Sequence, residues 1–588
     1  MIQRTSRAIR FLRTTARNSP WLVIAVALHV ALLASLALVK LTGKPPVEEG
    51  GVTHVVVPKI PDLAPVLPKD KQIDRFAIPE KQPIELVPTP IEYLPTMPAD
   101  KDPDFHKEVG STDTPPDAEF ELPGGSSTNG VGPGKPHRGK PGSPFGGPGT
   151  GGGGVRYPPG GGRIPGPSKP TQESVLAGMT WLVRHQRADG SWSPLGMSAL
   201  CTPGSPCIPA DASVTANYDE GLTGLALLTF LGAGQGHDSE VIITDTAMGK
   251  QYRLADVMTR GLKWLVQRQH DDGSFSDSGF LYNEALATMA VCEAYGLSHN
   301  RYWKEPARKA VDFLLRAQRR NPQDGSPWGW RYASAERLDA DHAAGKLDDA
   351  HFAHEISDAD LSATCWAVMA LKSAQMARID VPEANLRGAL AFAQSVATDD
   401  GLAGYLTREG AGQKVGGIGE QFAYHAGTMT ALDMLSRTFV ARDLGDPFLE
   451  LGAKQLAKDL PSVSKDKLSV DYYYWYYATL ALNQYDGPDS PRKSGKYWTP
   501  WNEAMQSAVL ALQDKSTERD LCSRGGWLVD DRWSYAGHAI YNTAINTLTL
   551  EVYYRYANAF GAKAIDKLDT RGTDSKFLAS PAAAQDNK

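Results

Sequence analysis

Apolar residues recur at helical spacing from Thr171 onwards, in segments separated by Gly-rich or Asp-Gly turns. This pattern predicts helices that come in pairs. The first members of the pairs are expected at 173–187, 258–270, 307–319, 384–397, 448–460 and 501–514. Their partners are expected at 220–232, 284–296, 361–377, 424–441, 472–484 and 538–557. Six helical hairpins in one chain are typical of a helical repeat array.

The first 41 residues follow a different pattern. Residues 1–19 contain five arginines and no acidic residue, and residues 21–39 carry no formal charge. An apolar run of about 20 residues is long enough to cross a membrane as a helix. We therefore predict a cytoplasmic basic tail at 1–19 and a single transmembrane helix at 20–41 in the inner (plasma) membrane, with the rest of the chain in the periplasm. A cleaved signal peptide is the alternative, although its apolar region would normally be shorter.

His29 lies in the middle of this apolar run. A central histidine followed by a proline-rich stretch resembles the N-terminus of TonB-type energy transducers, which implies proton-channel subunits as partners. Ala25 stands where that family has a serine, and a neutral histidine that the span merely tolerates is the alternative.

Composition separates a folded part from two extended parts. Many of the 57 glycines and 41 prolines lie between 42 and 170, where a Pro-rich half precedes a Gly-rich half. Such segments cannot bury enough apolar surface to offset their ordering entropy. We predict a disordered linker at 42–170, a folded domain at 171–560 and a disordered tail at 561–588. The net charge of −6 offers no basic excess for a nucleic-acid partner.

A repeated motif appears at the end of the first helix of several pairs. It reads GMTWLVRHQRADGSW at 178–192 and GLKWLVQRQHDDGSF at 261–275, with a longer third copy from 313 to 330 and a degenerate last copy, GGW, at 525–527. The motif resembles the QW repeat of squalene and oxidosqualene cyclases and their relatives, in which the glutamine caps a helix end and stacks with a neighbouring tryptophan. The resemblance implies an all-α fold, a single (α/α)6 toroid, like that of cyclases, protein prenyltransferase β subunits and complement thioester domains.

The cyclase resemblance points to one candidate acid. Asp358 and Asp360 form the nearest match to the cyclase DxDD motif, and Asp360 would be the proton donor. Leu361 replaces the last aspartate, and one barrel cannot enclose a cavity between two barrels as those cyclases do. The alternative is that Ser357, Asp358 or Asp360 caps the helix that begins near Leu361.

No metal or cofactor is expected from the sequence. No CxxC or HExxH spacing occurs. Asp360, Cys365 and His538 are the nearest candidates for a prenyltransferase zinc site, but the first two lie five residues apart rather than two. The segment GIGEQ at 417–421 lacks the cysteine of a complement-type thioester.

Aromatic residues on the second helices suggest a ligand surface inside the barrel. The candidates are Trp366, His425, Tyr473, Trp475, Tyr476, Tyr535, His538 and Tyr541. A lipid, sugar or peptide would suit such a surface, and a plain barrel core is the alternative.

Two cysteines lie close together in the long loop after the first helix. In an extracytoplasmic space Cys201 and Cys207 could form a disulfide, while Cys292 and Cys365 fall on apolar faces and Cys522 is left over. The sequence as a whole favours a membrane-anchored binding or assembly module without enzymatic activity. The alternatives are a terpenoid cyclase that uses Asp360 as its acid and a motor-coupled component that works through His29.

Overall fold

The computed structural model describes residues 101–102, 166–202, 206–208, 212–408, 426–463, 470–488, 490–492, 494–517, 521–553 and 555. The chain divides into two units, 1–90 and 91–588, and every described residue belongs to the second. The predicted transmembrane helix at 20–41, with His29, and the tail at 561–588 lie outside the described residues. Among the helices that are described, none is both long and apolar enough to span a membrane.

The described part is mostly helical. Its helices are α1 Lys169–Arg184, α2 Asp219–Gly232, α3 Leu254–Arg268, α4 Leu281–Ser298, α5 Arg301–Ala317, α6 Ala335–Ala343, α7 Asp349–Ser357, α8 Leu361–Met376, α9 Glu383–Ser395, α10 Ala426–Val440, α11 Pro447–Leu456, α12 Tyr472–Asp486, α13 Trp498–Leu512 and α14 His538–Leu550. All twelve helices predicted from periodicity are present.

Six helices form a closed inner ring. Helices α2, α4, α8, α10, α12 and α14 contact one another in this order, and α14 contacts α2 again. Nearly every residue of these helices is buried, as expected for helices surrounded on all sides. The predicted (α/α)6 toroid is therefore present in the described residues.

The outer helices α1, α3, α5, α9, α11 and α13 pack against the inner ring. Each is amphipathic, and α5 shows why: its buried residues Trp303, Ala307, Val311 and Leu314 recur every three or four positions and so share one face. This is the pattern from which the first helix of each pair could be predicted.

Four outer helices are joined to the next one by a glutamine, an arrangement that we call the glutamine clasp. The Nε2 group at the helix end donates one hydrogen bond to a carbonyl of its own turn and one to a carbonyl of the next outer helix. The pairs of acceptors are Gly190 and Val257 for Gln186, Gly273 and Pro306 for Gln269, Trp328 and Asn385 for Gln318, and Gly525 and Ser174 for Gln513. The last clasp joins α13 to α1 and so closes the outer ring.

The turns beside three of the four clasps leave no room for a side chain. Gly190, Gly273 and Gly525 have φ values of +100°, +91° and +93°. A Cβ added to any of them would lie within 2.5 Å of a backbone carbonyl oxygen of the next outer helix. Glycine is therefore required both by the backbone conformation and by the close approach.

A tryptophan follows three of the clasps. The indole groups of Trp192, Trp330 and Trp527 each donate a 2.8 Å hydrogen bond to the helix carbonyl four residues before the glutamine. Their backbone N–H groups donate to threonine hydroxyls of inner helices. Each turn thus ties an outer helix to the inner ring as well as to its outer neighbour.

Three features depart from the sequence prediction. A two-stranded antiparallel sheet, β1 Ile242–Asp245 with β2 Lys250–Arg253, precedes α3, so the fold is not purely α-helical. Helices α6 and α7 form an unpredicted excursion with a small apolar cluster of their own. Part of the predicted disordered linker is bound: the Asp102 carboxylate accepts 2.7 Å bonds from Tyr295 and Lys304 on α4 and α5.

Replacing Gln186 by leucine should test the clasp. The change leaves two carbonyls without their donor and removes the bond from Arg260 to Gln186 Oε1, so the free energy of unfolding should fall by about 2–4 kcal/mol. The exposed Gln251, on strand β2, provides the control, and its change to leucine should cost less than about 0.5 kcal/mol. Guanidinium unfolding of the purified protein measures both; equal effects would show that the clasp contributes nothing of its own.

Candidate functional site

The chain segments that open the inner helices meet at one end of the ring. Tyr218 precedes α2, Phe280 precedes α4 and Tyr535 precedes α14. The ring centroids of Tyr218 lie 5.8 Å from Phe280 and 6.5 Å from Tyr535. Because these residues come from distant parts of the sequence, only closure of the ring brings them together.

Two further rings, Tyr282 and Tyr332, lie beside these three. Together the five rings form a continuous surface, which we call the aromatic strip: Tyr535, Tyr218, Phe280, Tyr282 and Tyr332. The centroid of Phe280 lies 5.3 Å from that of Tyr282 and 5.9 Å from that of Tyr332. Tyr535 is 43% exposed, and the other four side chains are half-buried. A continuous, partly exposed aromatic surface is a feature of binding sites rather than of a barrel core.

An arginine and two carboxylates lie beside the strip. Arg331 places Nε 3.0 Å from a carboxylate oxygen of Asp358 and Nη1 3.3 Å from Oδ2 of Asp360. The guanidinium carbon also lies 4.8 Å from the ring centroid of Tyr332, close enough for a cation–π contact. Asp358 and Asp360, the acid pair predicted from the sequence, are therefore both ion-paired with Arg331.

Asp360 is the N-cap of α8, as one of the two sequence interpretations expected. Its Oδ1 accepts 2.7 Å hydrogen bonds from the Ala363 N–H and the Ser362 hydroxyl. Burial raises the pKa of Asp360, and Arg331 opposes that shift. Both carboxylate oxygens face donors, so the geometry suits a carboxylate that holds structure rather than one that releases a proton to a substrate.

Hydroxyl groups connect the strip to this ion pair. The hydroxyl of Tyr282 lies 2.5 Å from that of Ser362, which in turn donates to Asp360. Tyr332 is hydrogen-bonded to Tyr405. Burial raises the pKa of Tyr282 and Tyr405 well above their usual range, so both stay neutral and able to donate.

A second aromatic group lies deeper in the ring. Trp366 of α8 stacks on Tyr476 at 6.2 Å and meets the edge of Tyr477 at 5.4 Å. Tyr473 packs on Tyr477 at 4.8 Å. The Trp366 indole N–H and the hydroxyls of Tyr473 and Tyr477 are buried beside one another. The buried Tyr541 hydroxyl has no hydrogen-bond partner within the part of the chain that the structure describes, and such a group favours a polar ligand or water in this region.

His538 joins two loops at the same end of the ring. Its Nδ1 lies 3.0 Å from a carboxylate oxygen of Asp530, and its Nε2 lies 3.1 Å from the Ser213 carbonyl. Both partners are acceptors, so the protonated ring, with a hydrogen on each nitrogen, is the form that satisfies both contacts. The bond to Asp530 raises the pKa of His538, while burial opposes the shift.

The remaining predicted residues lie elsewhere. Trp475 packs edge-to-face on Tyr472, whose hydroxyl donates to the Val529 carbonyl. His425 lies outside the described residues. Cys201 and Cys207 are not joined by a disulfide in the structure: both are free cysteines, and both contact His185.

Several residues of the site were not anticipated from the sequence. Arg331 and Tyr332 directly follow Trp330 of the third repeat, and this position was the signal that could have found them. No sequence motif marks the positions of Tyr218, Phe280 and Tyr282. Their proximity depends on the ring closure and not on any local spacing.

Comparisons with known proteins give similarity in structure only. No protein-family model and no curated protein matches the sequence. An α-1,6-mannanase of Salegentibacter has a TM-score of 0.40 at 11% identity, over 66% of this chain and 99% of its own. An α-amylase from Clostridium perfringens has 0.39 at 10% identity, over 65% and 98%. A type II terpene cyclase from Scytonema has 0.37 at 12% identity, over 65% and 98%. Values of this size establish neither family nor activity, so the toroid described here rests on its own helix contacts.

The charge of His538 predicts a pH-dependent contribution to stability. A pKa raised above the unfolded value of about 6.5 means that the contribution is complete below that pH and is lost as the pH rises through the folded-state pKa. Asparagine is a suitable replacement because His538 has a φ of +45°, which asparagine tolerates. The difference in unfolding free energy between wild type and His538→Asn should therefore shrink from about pH 6 to about pH 9.

The control for this measurement is His354→Asn, since the His354 side chain is 76% exposed. Its unfolding free energy should follow that of the wild type at every pH. A His538→Asn difference that stays constant across the same range would show that His538 is not protonated in the folded protein.

Proposed function

We propose that the protein is a binding module that takes an extended ligand on the aromatic strip, and that it has no cyclase activity. The observation that supports this most directly is the strip itself, five rings in continuous contact that remain partly exposed at one end of the ring. Binding sites in proteins combine such apolar surface with a few fixed polar groups. Here Arg331 and the tyrosine hydroxyls are those groups.

The composition of the strip favours a saccharide over a lipid or a peptide. Four of its five residues are tyrosines, which combine an apolar face with a hydroxyl group. A sugar ring offers the matching pair, an apolar face of C–H groups and a rim of hydroxyls. A polyene offers only an apolar face and has no hydroxyl group to match the tyrosine hydroxyls.

The cyclase alternative depends on Asp360. Complete burial and a raised pKa are properties of a general acid, and Asp360 has both. Its oxygens, however, accept hydrogen bonds from Ser362, Ala363 and Arg331, all of which favour the ionised carboxylate over the protonated acid. We therefore favour binding over proton donation.

We further propose that the module is displayed outside the inner membrane on the single N-terminal helix. The uncharged run at 21–39 and the five preceding arginines support this orientation. His29 in the span is the feature that supports coupling to proton-channel subunits of a TonB-type motor.

A glycan array probed with the detergent-solubilised full-length protein tests the binding proposal. We expect binding to soluble oligosaccharides, with an affinity that falls about tenfold or more in Tyr535→Ala, because one stacking ring is lost. Tyr302→Ala is the matched control: Tyr302 is 47% exposed but lies on the outer helix α5, so its removal should leave the affinity unchanged.

Two outcomes would contradict the proposal. One is equal affinity of the wild type and Tyr535→Ala for every bound glycan, or binding to lipid vesicles or peptides alone. The other is a cyclised product from a squalene-like polyene that disappears in Asp360→Asn. That variant keeps the N-cap, because asparagine caps as well as aspartate, so loss of product would not merely report unfolding.

The orientation has its own test. A reporter that functions only after export, fused behind Lys588, should be active, and protease added to spheroplasts should cut between 42 and 170. A reporter that is active only in the cytoplasm would reverse the orientation and remove the proposed motor coupling with it.

A further inference from the structure

Four side chains with metal-binding atoms meet near the C-terminal end of α1. They are His185, Cys201, Cys207 and Cys522, all buried, and their ligand atoms lie within 4.8 Å of one another. His185 follows the last residue of α1, Cys201 and Cys207 belong to the loop between α1 and α2, and Cys522 lies in the turn after α13. The cluster therefore joins the first and last hairpins of the ring.

Four of the six separations between the ligand atoms are close to those of a tetrahedral site, and all six are within 4.8 Å. The His185 Nε2 atom lies 3.7 Å from the Cys201 sulfur, 3.6 Å from the Cys207 sulfur and 3.3 Å from the Cys522 sulfur. The sulfurs of Cys207 and Cys522 are 3.8 Å apart. A zinc ion with Zn–S of about 2.3 Å and Zn–N of about 2.0–2.1 Å has tetrahedral edges of about 3.8 Å between sulfurs and about 3.5 Å between sulfur and nitrogen.

The histidine is held in the state that a metal requires. Its Nδ1 lies 2.8 Å from the Trp181 carbonyl, which can only accept, so Nδ1 carries the proton and Nε2 presents a lone pair to the three sulfurs. Metal-binding histidines commonly donate their other N–H to a backbone carbonyl in this way. The ring of Trp181 also stacks on His185 at 4.0 Å, which fixes the ring orientation.

Neighbouring groups position the cysteines. Arg184 donates from Nη1 to the carbonyls of Leu521, Cys522 and Arg524, while its Nε and Nη2 bind both carboxylate oxygens of Asp245. Arg184 therefore links the turn that contains Cys522 to the end of strand β1. The N–H of Cys207 points at the Cys201 sulfur at 3.5 Å, a contact that stabilises a thiolate.

We propose a structural zinc site whose four ligands are His185, Cys201, Cys207 and Cys522. Three cysteines and one histidine are a closed, four-coordinate ligand set that favours zinc among the divalent metals. With no position left for water or substrate, the ion fastens the seam of the ring and takes no part in a reaction. Binding of the ion releases three thiol protons to solvent. One of them is the proton of Cys201, whose sulfur lies 3.5 Å from the Met197 carbonyl oxygen.

This proposal replaces two expectations from the sequence, the absence of a metal and a disulfide between Cys201 and Cys207. A disulfide would bring two sulfurs to about 2.0 Å and leave the third sulfur and the histidine unused. The structure instead places three sulfurs around one nitrogen lone pair at nearly equal distances.

Metal analysis and X-ray absorption of the full-length protein test the site. After dialysis in metal-free buffer with reductant, we expect one zinc per chain by mass spectrometry. The absorption spectrum should show three sulfurs at about 2.3 Å and one nitrogen at about 2.0–2.1 Å. Both measurements use the wild type, so they do not depend on whether a variant folds.

Variants assign the ligands. Cys522→Ser should lose the zinc on dialysis against a chelator, whereas Cys292→Ala should keep it, because Cys292 is buried in α4, away from the cluster. Chelation should lower the melting temperature of the wild type and of Cys292→Ala, but not that of Cys522→Ser. Two results would overturn the proposal. One is a wild type without metal, whether its three cysteines alkylate freely or two of them are found linked in non-reduced peptides. The other is zinc retained in Cys522→Ser.

Discussion

In a ring of helical hairpins, the carbonyl groups at the ends of the outer helices need hydrogen-bond donors. The same contacts also have to hold each hairpin to the next. The glutamine clasp meets both needs, because one amide group donates to its own turn and to the neighbouring helix. The turn can approach that closely only because glycine supplies a positive φ and lacks a Cβ. The clasp from Gln513 to the Ser174 carbonyl joins the last outer helix to the first, so the seam uses the same interaction as the junctions that follow α1, α3 and α5.

Closure of the ring has a direct consequence for function. The segments that open α2, α4 and α14 are distant in sequence, and they meet only because α14 returns to α2. Tyr218, Phe280 and Tyr535 thereby become one surface. The same closure brings the loop after α1 beside the turn after α13, which is where His185 meets Cys522. The aromatic strip and the cluster of His185 with Cys522 both depend on the seam.

The sequence predicted the parts of the fold that depend on local pattern. Helical periodicity located all twelve ring helices. The hydrogen bonds from each clasp glutamine to two backbone carbonyls were not predicted from the repeats and are seen only in the fold. Asp360 could be recognised as a helix cap because capping depends on residues only three positions apart. Helices α6 and α7 were missed because their buried apolar faces are small, with Leu338 and Ile356 among the few buried residues.

The two candidate sites were harder to predict, for a physical reason. Asp102, Arg331 and the four residues of the metal cluster act through contacts between segments far apart in the chain; Cys522 lies 337 residues from His185. Cys201 and Cys207 were visible as a close pair, and pairing them with each other was the natural interpretation. Only the fold shows that a histidine and a third cysteine share the same space.

Hydrogen–deuterium exchange of the full-length protein is the most direct test that the ring is closed at its seam. The amides of Asp514, Gly525, Gly526 and Trp527 are all hydrogen-bonded at the turn that meets α1. If the ring is closed as described, these four amides should exchange as slowly as the amides of the clasped turn at 269–275, since both depend on opening of the whole ring. Exchange of these four amides at the rate of an exposed loop, with 269–275 still protected, would show that the first and last hairpins are not joined and would contradict the account.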